Sequence, residues 1–511
     1  MGGDVMGQVI QSIDYAAIAP ALIVAVTAIV VLLADAFDVP RRFIGLLSGG
    51  ALAVALLSVV LLAFGDRRAT FCLPGELRGN GPRSCSYVAD DFTLLFQGVV
   101  LAGAVIVVLL SLREIAEAEM PAGEYHFLLL SAIVGALSLV AARDLVLLVV
   151  ALETLSLPVF ALVALKRYSG TGSEAALKLF LVSVVSAALM LFGISLVYGA
   201  TGAMHLDRIA LALDDLPGEY DPVVGVGIVL VLVGFGFKVA AVPFHFWAPD
   251  VYQGAPLPVA AFLSVVSKAA GFAGLAIVLA LGFPAYAHVW GPVVALLAAL
   301  TMTLGNLMAL RQGTAIRLLA WSSVAQSGYM LAPLAVGTDR LPEAVAATTA
   351  YVALYAVMNL GAFAVVIGFR ARMHQSHAEY GGPEWDSLDD YRGLARRSPA
   401  IGAALAFFLI CLAGLPPGVM GLFAKVVVFR AVVAGDVTWL AVVMAINTVI
   451  GLYYYLVWAV RLFAAPEGRP YLIAAGPGSF PVRAAIAATA AGAVVLSVAP
   501  QLVLQTVSSV S

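Results

Sequence analysis

Fourteen apolar stretches, most of them about 20 residues long, leave this 511-residue chain few ways to fold. They lie at about 17–36, 43–65, 92–112, 124–142, 144–165, 173–199, 222–247, 257–283, 291–310, 314–335, 344–369, 399–413 continuing through 417–434, 437–463 and 482–504. A helix that crosses a bilayer needs about 20 apolar residues. In hydrocarbon every backbone N–H and C=O must be satisfied within the protein, so only helices and closed barrels can span it. Barrel strands would alternate apolar and polar residues over about ten positions, and these stretches do not. The predicted fold is an all-α polytopic membrane protein with about 14 transmembrane helices. Charged residues make up 11% of the chain, against about 25% in a soluble domain.

Several function classes drop out at once. A net charge of −3, with no basic cluster and no Gly-rich phosphate loop, gives no reason to expect nucleic acid. The three cysteines lack CxxC spacing, so zinc or iron–sulfur ligation is not expected. Met1–Tyr15 carries Asp4 and Asp14 but no Lys or Arg, which does not fit the n-region of a cleavable signal peptide.

Basic residues in the loops orient such a chain. Fifteen fall on one side, among them Arg41, Arg113, Lys166, Arg317, Arg370 and Arg461, and eight on the other, among them Arg67, Arg83, Arg143 and Arg208. The richer side receives the longest basic connection, 370–398, and is expected to be cytoplasmic. Both termini then lie outside a bacterial inner membrane. Cys72 and Cys85 share the outward loop 66–91, where a disulfide could persist. Two free thiols are the alternative, because sequence does not give the geometry a bridge requires.

Only five lysines occur, and four lie inside apolar segments: Lys178, Lys238, Lys268 and Lys425. A charge in hydrocarbon costs roughly 2.5–3.5 kcal/mol on insertion scales, which makes each one a functional candidate. Lysine can release a proton on burial where arginine cannot. Glu153, near the middle of 144–165, is the one acidic residue deep in any predicted segment. Pairing with Lys238 or Lys178 would let both partners stay charged, and a purely structural ion pair is the competing reading. Lys178 follows Glu174 by four residues, so an ordinary helix-surface pair also accounts for it. His245 has the side chain best suited to a relay near neutral pH. His126, His205, His288, His374 and His377 fall in loops or at segment edges and are expected to be solvated.

Two segments should break. In one, Lys238 stands five residues before Pro243, followed by His245 and Pro249. In the other, Pro416 and Pro417 precede Lys425. Proline removes a backbone donor and clashes with the preceding turn. Irregular backbone at membrane depth is tolerated only inside protein or beside water, so such breaks mark ion paths. Paired interruptions in two halves also suggest an internal repeat, over about 124–283 and 291–463.

The run Gly236-Phe-Lys238-x4-Pro243-Phe-His245-x-Trp247-Ala-Pro249-Asp250-Val-Tyr252-Gln253-Gly254-Ala-Pro256, followed by Ser267-Lys268, resembles the antiporter-like membrane subunits of respiratory complex I, the NADH–quinone oxidoreductases. Leu152-Glu153-x4-Pro158 and Gly414-Leu-Pro416-Pro417-x3-Gly421-x3-Lys425 fit the same pattern. Lysine at 268 separates the chain from the larger relatives, which usually carry histidine there. The resemblance covers about 124–463.

It implies two inverted five-helix repeats, 124–283 and 291–463, each with one discontinuous helix. They would be flanked by an N-terminal three-helix segment, 1–123, and by a C-terminal loop and last helix, 464–511. It implies proton transfer along Glu153, Lys238, Lys268 and Lys425, with Lys178 matching a family lysine, driven by quinone reduction elsewhere. His245 joins this line as a relay on the residue reading alone, a histidine packed against freed carbonyls being its alternative. NADH, FMN, iron–sulfur clusters and quinone would be held by other subunits, with none in this chain. The partners would be other membrane subunits, related antiporter-like ones included, and the lipid bilayer.

Three other readings compete with this one. A subunit of a sodium/proton antiporter would want several oxygen ligands together, and one buried glutamate is thin provision. A secondary solute transporter would need a pocket of varied hydrogen-bonding groups. A structural scaffold gives no reason for the lysines.

Overall fold

The computed structural model describes residues 13–74, 83–118, 120–166, 169–377, 386–465 and 479–503. Among these, twelve helices are long and apolar enough to cross a membrane. They are Tyr15–Ala36, Arg41–Leu62, Asp91–Glu117, Ala122–Ala141, Leu145–Ala164, Gly170–Thr201, Gly218–Lys238, Leu257–Gly282, Pro284–Ala309, Thr338–Ala371, Thr438–Phe463 and Phe480–Val498. Shorter helices meet the other two predicted segments. Ala315–Leu331, continued by a 3-10 turn at Ala332–Ala335, fills 314–335, while Pro399–Ala413 and Val419–Ala434 divide 399–434 between them. The termini lie outside the described residues, as does 378–385 of the basic loop.

Burial sorts these helices. Leu257–Gly282 is wholly enclosed and Thr338–Ala371 nearly so, whereas only a third of the apolar window of Tyr15–Ala36, Arg41–Leu62 and Gly170–Thr201 is covered by protein. Those outer helices expose Leu46, Leu61, Phe180 and Val185. In water such a surface would drive association; in a bilayer it is the solvated face.

The enclosed helix departs from regular geometry in a way its apolar pattern did not announce. Leu263–Ser267 and Val278–Gly282 are π-helical. Lys268 follows the first π turn directly. Such bulges insert a residue into the i→i−4 ladder and often sit at functional positions.

The Asp91–Glu117 helix outruns its predicted end at 112 and brings Glu114 into the fold. Glu114 Oε1 accepts from the Leu257 backbone N–H at 3.1 Å, capping the enclosed helix. His126, expected in solvent, is 1% exposed. It packs edge-on to Tyr125 and lies close to Gly45 of the Arg41–Leu62 helix. Its position at a segment edge misled because a neighbouring helix covers that edge.

Outside the helices, β1 (Arg68–Cys72) and β2 (Cys85–Ala89) form an antiparallel hairpin with Cys72 opposite Cys85, and a disulfide joins the two. Asp14 ties the hairpin to the first helix. Its side chain caps Tyr15–Ala36 through the Ala16 and Ala17 N–H groups and pairs with Arg68 at 3.2 Å.

Candidate functional site

The first break begins earlier than Pro243. The helix stops at Lys238 itself, Ala240 takes φ +57°, and regular helix resumes at Trp247–Gly254. Pro243 lacks a donor and crowds the turn before it, and the chain leaves helical geometry in that turn, directly after Lys238. The backbone groups released there are caught by side chains, as a membrane interior demands. Trp247 Nε1 donates to Phe237 O at 3.2 Å, Ser327 Oγ donates to Val239 O at 2.7 Å, and Thr301 Oγ1 accepts from Val242 N at 2.9 Å. His245 sits within the break, 2% exposed, against Phe246 and Trp321.

The second break is built from glycine as much as proline. Pro399–Ala413 ends in Gly414 at φ +80°, and a Cβ there would lie 3.0 Å from Lys425 Cδ. At Gly421 a Cβ would stand 1.7 Å from the carbonyl oxygen of Cys411. At Gly421 the two half-helices therefore touch through a position that has no room for a Cβ, while Gly414 supplies the left-handed turn between them.

Three of the four candidate lysines are buried: Lys238 and Lys425 are 6% exposed and Lys268 is 2% exposed. Each is held by neutral oxygen. Lys238 Nζ donates to Ser156 Oγ at 2.8 Å. Lys268 Nζ donates to Ser323 Oγ at 2.6 Å and to Ser323 O at 2.7 Å. Lys425 Nζ donates to Ala413 O at 2.6 Å, the carbonyl at the edge of its own break. Among the described residues none of the three forms an ion pair, so no such pair ties these lysines to one protonation state.

Glu153 lies three residues before Ser156 on the same helix, within electrostatic reach of Lys238. The expected direct pair is not formed, because the lysine goes to the serine. One carboxylate oxygen of Glu153 is buried without a protein hydrogen-bond partner.

Lys178 does not join the buried group. Its side chain is 44% exposed and pairs with Glu174 at 2.8 Å and with Asp250 at 2.6 Å. Asp250 also faces Arg317, at 3.4 Å. Its partner Asp250 stood in the quoted motif, but loop-like sequence around Pro249 gave no hint that it turns toward Lys178.

Between Lys268 and Lys425 runs a set of uncharged polar groups. Tyr355 OH donates to Ser323 Oγ at 2.9 Å. One turn along the same helix, Gln326 accepts from Tyr351 OH and donates to Tyr455 OH at 3.1 Å. Tyr351 stacks on Tyr329, whose ring centroid lies 5.6 Å from Lys425 Nζ. Sequence reasoning missed Ser156, Ser323, Gln326 and Tyr252. The cue was present for two of them: Trp321-Ser-Ser323-x-x-Gln326-Ser is an unusually polar run for a membrane span.

Comparison with known proteins supplies independent findings. The sequence model of the family "NADH:quinone oxidoreductase/Mrp antiporter, TM" matches residues 142–451. The chain is 52% identical to NADH-quinone oxidoreductase subunit N 2 of Streptomyces griseus, over 97% of this chain and 94% of that protein. It is 44% identical to NADH-quinone oxidoreductase subunit N of Salinispora tropica, over 92% and 88%. Among solved structures it is similar to a chain of respiratory complex I from Thermus thermophilus, with TM-score 0.77, 34% identity and coverage of 95% and 98%. A chain of the Mrp complex from Dietzia shares the fold, at TM-score 0.80 and 20% identity over 97% and 96%.

Proposed function

This chain belongs to the NADH:quinone oxidoreductase/Mrp antiporter membrane family, in its subunit N branch, and from that membership we propose that Glu153, Lys238, Lys268 and Lys425 carry protons across it. The protein is an antiporter-like, proton-translocating membrane subunit of an NADH–quinone oxidoreductase. Its work is to turn an electrostatic change, set off by quinone reduction in other subunits, into proton movement. Flavin, iron–sulfur clusters, NADH and quinone belong to those other subunits. Its partners are the neighbouring membrane subunits, antiporter-like ones among them. Lys178 acts at the edge of this line, and His245 packs within the break that ends at Trp247.

One observation carries the reading: three buried lysines are each bonded to neutral oxygen. A lysine locked to a carboxylate gains nothing by losing its proton. A lysine on a serine hydroxyl or a carbonyl can give its proton up without leaving a paired anion behind. It can also be returned to the charged form when a neighbouring charge moves. Glu153, beside Lys238 and free on one oxygen, is the charge best placed to bias the first of them. The Ser323–Gln326–tyrosine array supplies neutral hydrogen-bonding groups between the second and third. The breaks at 239–246 and 414–418, one in each half, support two discontinuous helices in two related repeats.

Lys268→Met in the assembled complex tests this. We expect quinone reduction to continue with fewer protons moved per electron in sealed vesicles. An unchanged proton yield at normal turnover would return Lys268 to a structural role.

A further inference from the structure

The eight-residue helix Trp247–Gly254, which resumes after the first break, is packed against both Gly170–Thr201 and Ala315–Leu331. It presents different chemistry to two sides. Asp250 faces the half-exposed cations, 2.6 Å from Lys178 Nζ and 3.4 Å from Arg317 Nη1, and the neighbouring Gln253 takes Arg317 Nη1 at 2.9 Å. Tyr252, two residues on, is fully buried, and its hydroxyl lies 3.4 Å from Ser323 Oγ. A step of two residues turns a helix by roughly 200°, so the two side chains leave from opposite faces.

Ser323 fixes the direction of the inner contact. Its hydroxyl oxygen has two lone pairs, and Lys268 Nζ at 2.6 Å and Tyr355 OH at 2.9 Å occupy both. The Ser323 proton is then left to donate to Tyr252. Tyr252 thus orients the hydroxyl that holds Lys268, and Asp250 anchors the helix that carries Tyr252.

We infer that Asp250 is a positioning residue for Lys268, acting through Tyr252 and Ser323 across the Trp247–Gly254 helix. This inference rests on the proposed role of Lys268 and adds a part to it. The outer cations Lys178 and Arg317, one from each half of the chain, hold Asp250 in place. Loss of that hold lets the short helix shift, loosens the long Tyr252–Ser323 contact and frees the Lys268 ammonium from its set orientation. Removing Asp250 and removing the Tyr252 hydroxyl should therefore do the same damage.

The test is a double-mutant cycle in the assembled complex, read as protons moved per electron in sealed vesicles, with assembly checked by native gel. Asp250→Asn and Tyr252→Phe should each lower the yield about twofold or more, and the double variant should be no worse than the poorer single one. Asp250→Glu, which keeps the charge, should recover most of the yield. Effects that multiply in the double variant would mean that Asp250 acts on Lys178 and Arg317 alone, and would overturn the link. Equal loss in Asp250→Glu and Asp250→Asn would overturn it too. Lys268→Met is the reference. A normal yield there removes the underlying reading, whereas a low yield there with a multiplicative cycle removes only this inference.

Discussion

Lys425 Nζ stands 2.6 Å from the carbonyl oxygen of Ala413, the last residue of the half-helix that breaks just before it. A carbonyl at a helix end has lost its i+4 partner, and here a buried ammonium from the following half-helix supplies one. The break and the lysine therefore stabilise one another.

Gly414→Ala and Gly421→Ala should separate function from assembly. At 414 an alanine adopts φ +80° at a cost of roughly 1–2 kcal/mol, and its methyl meets the movable side chain of Lys425. We expect an assembled protein with reduced proton yield. At 421 the new methyl would meet the backbone oxygen of Cys411, which cannot step aside. Overpacking of that kind costs about 1–3 kcal/mol or more, and we expect less assembled complex on a native gel. The opposite ranking would show that Gly414 only shapes the turn.

Lys238 gives the sharpest test of proton carriage. Lys238→Met should stop transfer through this subunit. Lys238→Arg keeps the charge but cannot release a proton at any accessible pH, so it should fail as well. Ser156→Ala removes the one hydrogen-bond partner that Lys238 Nζ has among the described residues and should cost less, since the lysine itself remains. A normal proton-to-electron ratio in the assembled arginine variant would falsify the relay.

How far the sequence reached follows from what each residue type must satisfy. Apolar length predicted nearly every span, because the bilayer sets that length and leaves little to tertiary context. Both broken helices were visible in Pro243 and Pro416-Pro417. The start of the first break at Lys238 was not, since it depends on Trp247, Ser327 and Thr301 catching the freed backbone from other helices. Lysine scarcity pointed at Lys238, Lys268 and Lys425 directly. It also picked out Lys178, which is half-exposed and bound to Asp250, 72 residues away. The π turn at Leu263–Ser267, directly before Lys268, carries no proline or glycine to announce it.

Asp90 predicts a dependence on acid. It caps the Asp91–Glu117 helix just outside the span, and its carboxylate meets Arg143 Nη2 at 2.8 Å. Burial pushes its carboxyl up, but Arg143 and the Thr93 N–H and hydroxyl outweigh that and hold it below the ordinary carboxylate value. A carboxyl lowered in the folded state stabilises above its unfolded pKa of about 3.9, and that stability is lost as pH falls through the folded value. Asp90→Asn should lower thermal stability in detergent at neutral pH by about 1–3 kcal/mol. It should also flatten the acid limb of the stability profile. An unchanged acid limb would mean that other carboxylates govern it.

The hairpin predicts a redox effect. A bridge closing a loop of about 15 residues restricts the unfolded chain by about 3 kcal/mol, and Cys72 and Cys85 are 13 apart. Mass spectrometry of unreduced peptides should find them linked, and reduction should loosen the hairpin from Tyr15–Ala36. Two alkylatable thiols in an undamaged preparation would remove the bridge.

Topology joins these points. A lasting disulfide belongs on the oxidising side, so we expect the hairpin outside, the side to which the poorer count of basic residues also assigns it. Ser387 caps a short turn in the loop on the opposite side, beside Arg392, Arg396 and Arg397. A Ser387→Cys variant in intact cells should resist a membrane-impermeant thiol reagent and react once the membrane is opened. The native thiols do not compete, because Cys72 and Cys85 are bridged and Cys411 is buried. Labelling of Ser387→Cys from outside intact cells would invert the whole arrangement. The basic loop would then face the periplasm, and the disulfide-bearing hairpin the cytoplasm.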